Sequence, residues 1–574
     1  LNLPRRKYLS HGLKPAFWLC LVPCAVFAQT APPAPPTAGS LLQQLQPLTT
    51  KPPTADTPAP KVKLPKAVSA PTQGGPKLQV KGFRLAGLDA PQVDAMLPLL
   101  QKYLGPDKSL ADLEDAAKDV EVALQRSGFF LAQAYVPEQT IADGMVTLQV
   151  LIGRLGAIKL EVEPGVKVSP DLMDQIVARL RGNPVAEREL IERALFTLGD
   201  LRGITISSSL TPGERVGQAD LTIKVARRQN LAYNLEFDNG GSIFTGRYRI
   251  NAGVDWFSPA GRGDVASLKT QFSTNAGTRF LRASWLTPIN AQGTKLGLAA
   301  SFLHYSLGSI FESLDADGTA AALSLQLLHP QIRSRNSNLF LQMSADVRKF
   351  EDKVKAVPLD TKKGVTSYFT FGAVGDFRDT RWGGGITNYS ANIVTGRLKI
   401  TSPDDLALDQ SADGYKAAGS YAKLMLAASR LQTLPNKDAL YFSANAQIAG
   451  KDLDSSEKFS LGGPYGVRGY APPESPSDSG LIVSWEYRKP MRFESTPGDF
   501  VFGVFGDYGI GQLHHTPLPA DTENIRRLVS HGFGVTYDND KGLFVKAWLA
   551  ARGGTRAQSD DSRARLYVLL GQQF

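Results

Sequence analysis

From Asn230 onward, apolar and polar residues alternate with a period of two, and helical periodicity is absent. Sixteen alternating segments can be counted, the first at 230–239 and the last at 565–574. Most exceed the ~9–11 residues that a tilted strand needs to cross a bilayer. Their number is even, as single-chain bacterial barrels prefer. The connections also alternate. Those after even-numbered segments are short (SPAGRG, NAQGT, PNK), whereas those after odd-numbered ones become long, at 353–366, 399–413, 451–479 and 512–526. Membrane barrels have short periplasmic turns and long outer loops; a soluble sandwich has no reason for the asymmetry. The last segment, RLYVLLGQQF, sets Leu566, Val568, Leu570 and Phe574 on one face, as a barrel-closing strand would.

Upstream the period changes. Residues 77–154 predict the order β-α-α-β-β. LQVKGFRLAGL is a strand, and Val93, Met96, Leu97 and Leu100 recur at helical spacing. Ser109 and Asp112 mark a capping-box start for a second helix, with Leu113, Ala117, Val120 and Leu124 inward. FFLAQAYVPEQ and MVTLQVLIG follow as strands. Residues 155–228 repeat the order, with helices built on Leu172, Ile176, Val177 and Leu180, then on Leu190, Ile191, Ala194, Leu195 and Leu198. Residues 29–76 are rich in Pro, Ala, Thr and Lys and read as a linker. One island, AGSLLQQLQPL at 38–48, places Leu41, Leu42, Leu45 and Leu48 on one helical face, with Ser40 as the expected cap. So short a helix needs a surface to dock on.

Composition narrows the compartment. Arg5, Arg6, Lys7 and Lys14 precede the apolar run Ala16–Ala28, which reads as an export signal over 1–28 with cleavage before Gln29. Both cysteines, Cys20 and Cys24, lie in it, so the exported chain has neither a disulfide framework nor a thiolate metal site. Removing its four basic residues takes the formal charge from +10 to 10 − 4 = +6, a mild excess that does not point to nucleic acid. No other apolar run approaches the ~18 residues of a membrane helix. The histidines, among them His514 and His515 on a loop surface, show no H-E-x-x-H spacing, and no G-x-S-x-G elbow occurs. Neither a catalytic residue nor a metal or cofactor is therefore expected. Trp256, Trp285, Trp382, Trp485 and Trp548 fit an interfacial aromatic girdle.

The stretch LGGPYGVRGY, 461–470, falls in the sixth outer loop, 451–479. Its glycines are expected to give flexible backbone, and Tyr465 and Tyr470 need a wall to pack on. Such a loop fits inside the lumen, where Arg468 needs an acidic partner. The thirteenth segment, DFVFGVFGDYGIG, sets Phe502, Val504 and Tyr508 toward lipid, and Phe505, Asp507 and Gly509 inward, since a lone Asp facing lipid is costly. An Arg468–Asp507 pair would pin the loop, by ~3–5 kcal/mol if desolvated and nearer ~1 kcal/mol in a wet lumen.

These features together resemble the two-partner secretion (TpsB) transporters of the Omp85 superfamily, the haemolysin-activator and filamentous-haemagglutinin exporters, over nearly the whole exported chain. In that family a VRGY motif at the tip of loop six enters the barrel, and its arginine meets the aspartate of an F-x-D motif on strand thirteen. The matching residues here are Val467, Arg468, Gly469 and Tyr470, preceded by Gly462 and Gly463, and Phe505, Gly506 and Asp507. The two repeats resemble POTRA domains, and AGSLLQQLQPL resembles the family's plug helix. The resemblance implies a plug helix, POTRA 1 at 77–154, POTRA 2 at 155–228, and a 16-stranded outer-membrane β-barrel at 229–574. It implies a pore that recognises one unfolded, TpsA-like exoprotein in the periplasm and threads it outward, the substrate's folding outside supplying direction. Further implied partners are outer-membrane lipid and lipopolysaccharide, and the barrel-assembly machinery through the strand ending at Phe574; the transporter is expected to act as a monomer. The alternative is an Omp85-type insertase for other barrels, although those usually carry more than two repeats.

Overall fold

A computed structural model describes residues 35–45 and 77–574, apart from 130, 142, 182–184, 216 and 357–359. The export signal and Leu48 lie outside the described residues. Helix α1 (Ala38–Leu45) comes first. The first repeat then contains β1 (Leu78–Val80), β2 (Gly82–Ala86), α2 (Ala90–Leu100), β3 (Gly105–Lys108), α3 (Leu110–Arg126), β4 (Gln133–Tyr135) and β5 (Met145–Leu151). The single first strand expected from sequence breaks at Lys81. There β1 turns away to pair with β3, leaving the sheet β2-β5-β4 with β2 parallel to β5. Reciprocal capping boxes start both helices, at Asp89–Gln92 and Ser109–Asp112. Met96 and Leu100 are buried with Leu113, Val120, Leu124, Val146 and Leu148; Leu97, at the edge of the apolar stripe, is exposed instead.

The second repeat comprises β6 (Arg154–Val162), α4 (Pro170–Arg181), α5 (Arg188–Gly199), β7 (Ile204–Pro212) and β8 (Gln218–Arg227), in sheet order β6-β8-β7. It docks on the short turns of the barrel. Asp200, just past α5, receives Arg333 from the barrel at 2.6 and 3.0 Å. The guanidinium lies over Phe196 and Phe340, and its side chain is only 1% exposed. Backbone bonds from Ser169 to Gly261 and from Arg202 to Gly263 complete the seat. Breaking a buried ion pair leaves one charge desolvated, so Arg333→Ala is expected to loosen this domain by about 3 kcal/mol. Faster amide exchange at Thr197–Leu201, with barrel heat-modifiability unchanged, is the expected reading.

Sixteen antiparallel strands close the barrel. They are β9 (Leu231–Asp238), β10 (Arg249–Phe257), β11 (Val265–Ser273), β12 (Thr278–Pro288), β13 (Lys295–Ser306), β14 (Ala316–Arg333), β15 (Ser337–Val354) and β16 (Asp360–Asp379). Then come β17 (Gly385–Ile400), β18 (Gly419–Thr433), β19 (Ala439–Ala449), β20 (Ser479–Arg492), β21 (Asp499–Gln512), β22 (Ile525–Asp538), β23 (Leu543–Arg552) and β24 (Ala564–Gln573). The closing seam is short, running from Leu569↔Asp238 to Gln573↔Asn234. It is extended by Asn239, whose amide bonds the backbone of Leu566 and Val568, and by Phe574 with Tyr233. Two boundaries differ most from the sequence reading. The β15–β16 hairpin continues to Val354↔Asp360, so most of the long loop expected at 353–366 is strand. Strand β18 begins only at Gly419, because the Asp409 carboxylate accepts from the amides of Ala417 and Ala418 and holds them in the loop.

Outward side chains such as Phe302, Leu323, Phe369, Ile393 and Phe533 form an exposed apolar band, the solvent-facing signature of a barrel that sits in lipid. Trp256 and Trp285 lie at the periplasmic ends of their strands. Trp485 and Trp548 do not belong to a girdle. They sit mid-strand, opposite Gly506 and Gly534, and cover the gaps those glycines leave.

Candidate functional site

The lumen is filled from two directions. Loop six, 450–478, folds inward as an irregular hairpin, with Phe459 bridged to Ser477 and Gly462 to Val467. Val467 packs with Leu461, Tyr470, Ile482 and Leu528. At the tip, Arg468 donates to Asp507 through its backbone N–H and Nε, both 3.0 Å from Oδ2, and through Nη2, 2.8 Å from Oδ1. Nη1 reaches Glu486 Oε2 at 3.1 Å. The guanidinium lies 3.3 Å from the centre of the Phe505 ring. Ser530 Oγ adds a further bond to Asp507 Oδ2 at 2.8 Å. The Arg468 side chain is 8% exposed and that of Asp507 0%. Gly506, between the two wall residues, faces outward under Trp485.

The glycines serve close approach rather than flexibility. A Cβ on Gly469 would lie 2.8–3.0 Å from Ser530 Cβ and the Arg552 backbone, and Gly463 has φ +112°. Gly462 abuts Glu474. Tyr470 is fully buried, its hydroxyl bonded to the carbonyls of Gly553 and Thr555 and its own carbonyl to the Tyr567 hydroxyl. Tyr465, by contrast, is exposed and packs on no wall. The tip therefore joins β20, β21, β22 and β24, next to the closing seam.

The first limb of the same loop is fastened to another sector of wall. Glu457 lies between Lys423, 2.8 Å from Oε2, and Arg348, 3.4 Å from Oε1, all three buried. Lys423 and Gln447 also donate to the Glu457 carbonyl, at 2.8 and 3.0 Å. Asp454 meets Lys362 at 3.0 Å. Helix α1 lies against this limb. Thr37 Oγ1 bonds Ser455 Oγ at 2.8 Å, and a side chain at Gly39 would collide with Ser456. The N-terminus of α1 is held by Asp352, which accepts from the Ala38 amide and the Tyr305 hydroxyl, both at 2.7 Å. The cap is Thr37 rather than Ser40. The two exchange bonds across one turn, with Ser40 in the reciprocal position. Leu41 and Leu42 are buried against Phe280, Leu303, Phe350 and Leu398, with Leu45 half-buried beside them.

Loop five (401–418), loop six and loop seven (513–524) are stitched together above the lumen. His514 is not solvated surface: it stacks on Tyr415 at 3.7 Å. Burial, then the neighbouring Lys458 ammonium, brings its imidazole down to about 4, so it is neutral at neutral pH. Asp452, Asp478 and His514 converge there, but Lys458 Nζ sits among them, 2.8 Å from Asp478 and 3.5 Å from His514. That cation already supplies the charge a metal would bring.

Sequence reasoning misses Glu486, Ser530, Glu457, Lys423, Arg348 and Asp352. The available signal is parity: Arg348 and Lys423 alternate with lipid-facing neighbours, and a cation mid-strand belongs inside. Parity does not say which charges meet. Nothing in either cluster has the geometry of nucleophile and base; the chemistry is that of clasps.

The description "Haemolysin secretion/activation protein ShlB/FhaC/HecB" matches residues 217–537, and "POTRA domain, ShlB-type" matches 78–153. The chain is 29% identical over 461 residues to the heme/hemopexin transporter protein HuxB of Haemophilus influenzae, covering 79% of each. It is 22% identical over 372 residues to the outer membrane transporter CdiB of an Escherichia coli strain, covering 63% of this chain and 60% of that one. Among solved structures it superimposes on CdiB from Escherichia coli with a TM-score of 0.69 at 17% identity, over 89% of this chain and 93% of the other. With BamA from Haemophilus ducreyi lacking POTRA domains 1–3 the TM-score is 0.50 at 15% identity, over 86% and 100%.

Proposed function

The chain belongs to the haemolysin secretion/activation family described as ShlB/FhaC/HecB, and from that premise we propose how it works. It is an outer-membrane transporter of the two-partner secretion type, with POTRA domains in the periplasm and a secreted exoprotein as its partner. In our reading the POTRA domains take up that exoprotein unfolded, as an added strand on an open sheet edge. Edges β2, β4, β6 and β7 are available, and the first domain also exposes Leu97, Leu99, Leu104 and Leu110. The exoprotein then passes through the lumen once α1 and the first limb of loop six yield, while the Arg468 tip stays docked on the wall and holds the loop in place. The observation that carries this is how the lumen is filled: loop six is clasped to the wall by a few buried ion pairs, and α1 by hydrogen bonds and apolar packing, neither by strand pairing with the barrel. The reading includes no enzymatic step, one copy per pore, and insertion by the barrel-assembly machinery through β24 and Phe574.

The insertase alternative has one observation in its favour, the short β9–β24 seam. One experiment separates the two. Removing residues 77–228 is expected to abolish export of one large protein, seen by mass spectrometry of the culture supernatant, while the remaining barrel stays folded and heat-modifiable. Broad loss of other outer-membrane barrels would favour the insertase.

A further inference from the structure

The outward face of β15–β17 carries charge where the barrel leaves the bilayer. On β15, Arg348, Phe350 and Asp352 point into the lumen, so Val347, Lys349, Glu351 and Lys353 point out. Register places Lys349 beside Val365, and Val365 beside Lys399. Arg397 lies opposite Ser367, and Lys363 is the next outward position above Val365. Lys349, Lys363, Arg397 and Lys399 therefore surround Val365, with Lys349 and Lys399 two strand spacings, about 10 Å, apart. All four are exposed. Toward the membrane, Val347 comes next below Lys349, and Phe369 and Ile393, each 57% exposed, follow past Ser367 and Thr395 in the apolar band.

The side is fixed by the fold. The POTRA domain docks at Arg333, the far end of β14, so the β15–β16 turn lies outside. One acid belongs to the patch, Glu351, which reaches Lys353 at 3.2 Å and Lys363 at 3.7 Å. Among the described residues, Lys349, Arg397 and Lys399 form no ion pair. Cations at a hydrocarbon boundary call for anions at headgroup depth, each contributing to lipid attraction. Two cationic sides, set about 10 Å apart above a broad apolar wall, suit a headgroup with two phosphates and several chains better than one phosphodiester.

We propose that this face binds a diphosphorylated glycolipid of the outer leaflet, its phosphates on Lys349, Lys363, Arg397 and Lys399 and its acyl chains over Val347, Phe369 and Ile393. The assignment rests on the outer-membrane placement above but not on export, so the supernatant experiment and the following one fail separately. The purified full chain in detergent is offered diphosphorylated lipid A, the same lipid with its phosphates removed, or phosphatidylglycerol, and bound lipid is counted by native mass spectrometry. Retention of diphosphorylated lipid A is expected, with binding of the other two weaker by at least about ten-fold. The variant Lys349→Gln/Arg397→Gln/Lys399→Gln, checked by heat-modifiability, is expected to lose lipid A to the same degree, while Lys489→Gln/Arg492→Gln at the periplasmic end retains it. Equal retention of phosphatidylglycerol or of dephosphorylated lipid A by the unaltered protein overturns the proposal, as does undiminished binding by the triple variant.

Discussion

Asp507→Ala is expected to cut export by about a hundred-fold and to expose the tip of loop six to protease. The carboxylate accepts from three groups of Arg468 and from Ser530, and among the described residues Glu486 is the only other acid paired with that guanidinium. With both side chains nearly dry, the larger of the two energies set out for this pair applies, about 3–5 kcal/mol for stranding one partner of a buried pair. A shift of 3 kcal/mol in the docking of the tip is roughly a hundred-fold. The swap Arg468→Asp with Asp507→Arg is expected to recover only part of the loss. Ser530 then faces a cation, and Glu486 is left beside an aspartate. Export equal to the unaltered protein, with the loop still protected, would remove the tip clasp from the mechanism.

Glu457→Ala is the second large effect. It leaves Lys423 and Arg348 buried without their carboxylate and frees the first limb of loop six, on which Thr37 and Gly39 at the start of α1 rest. Single-channel conductance in a planar bilayer is expected to rise toward that of a protein lacking residues 38–45. Combining the two changes is expected to add little, because both empty the same space. A Glu457→Ala pore as closed as the original would show that α1 stays without the limb.

How much of this could be read from the chain follows from how local each feature is. The sixteen strands were legible because alternation is a property of neighbouring residues, and inward parity alone set Asp507 toward the lumen. Glu486 was not legible as a third member, since it meets Arg468 only through the register that sets it beside Phe505. Glu457 lies in a loop without periodicity, so nothing local distinguishes it from surface acid. From sequence the cap of α1 is Ser40; that Thr37 takes the position, with Ser40 reciprocating, depends on where the helix enters the wall. The glycines of LGGPYGVRGY promised freedom; what they supply is room, and only the packed neighbours reveal that.

Helix α1 and the pore it fills belong to one polypeptide, joined through residues 46–76 and the POTRA domains. With α1 leaving and returning during export, as proposed above, its return is a first-order event. The helix meets its seat at an effective concentration fixed by the tether, millimolar for a short flexible link, whatever the number of transporters in the membrane. A free peptide copying 38–45 would need about that concentration to compete for the seat. On that reading, permeability of the cell envelope scales with the number of pores engaged in export, and not with the number at rest.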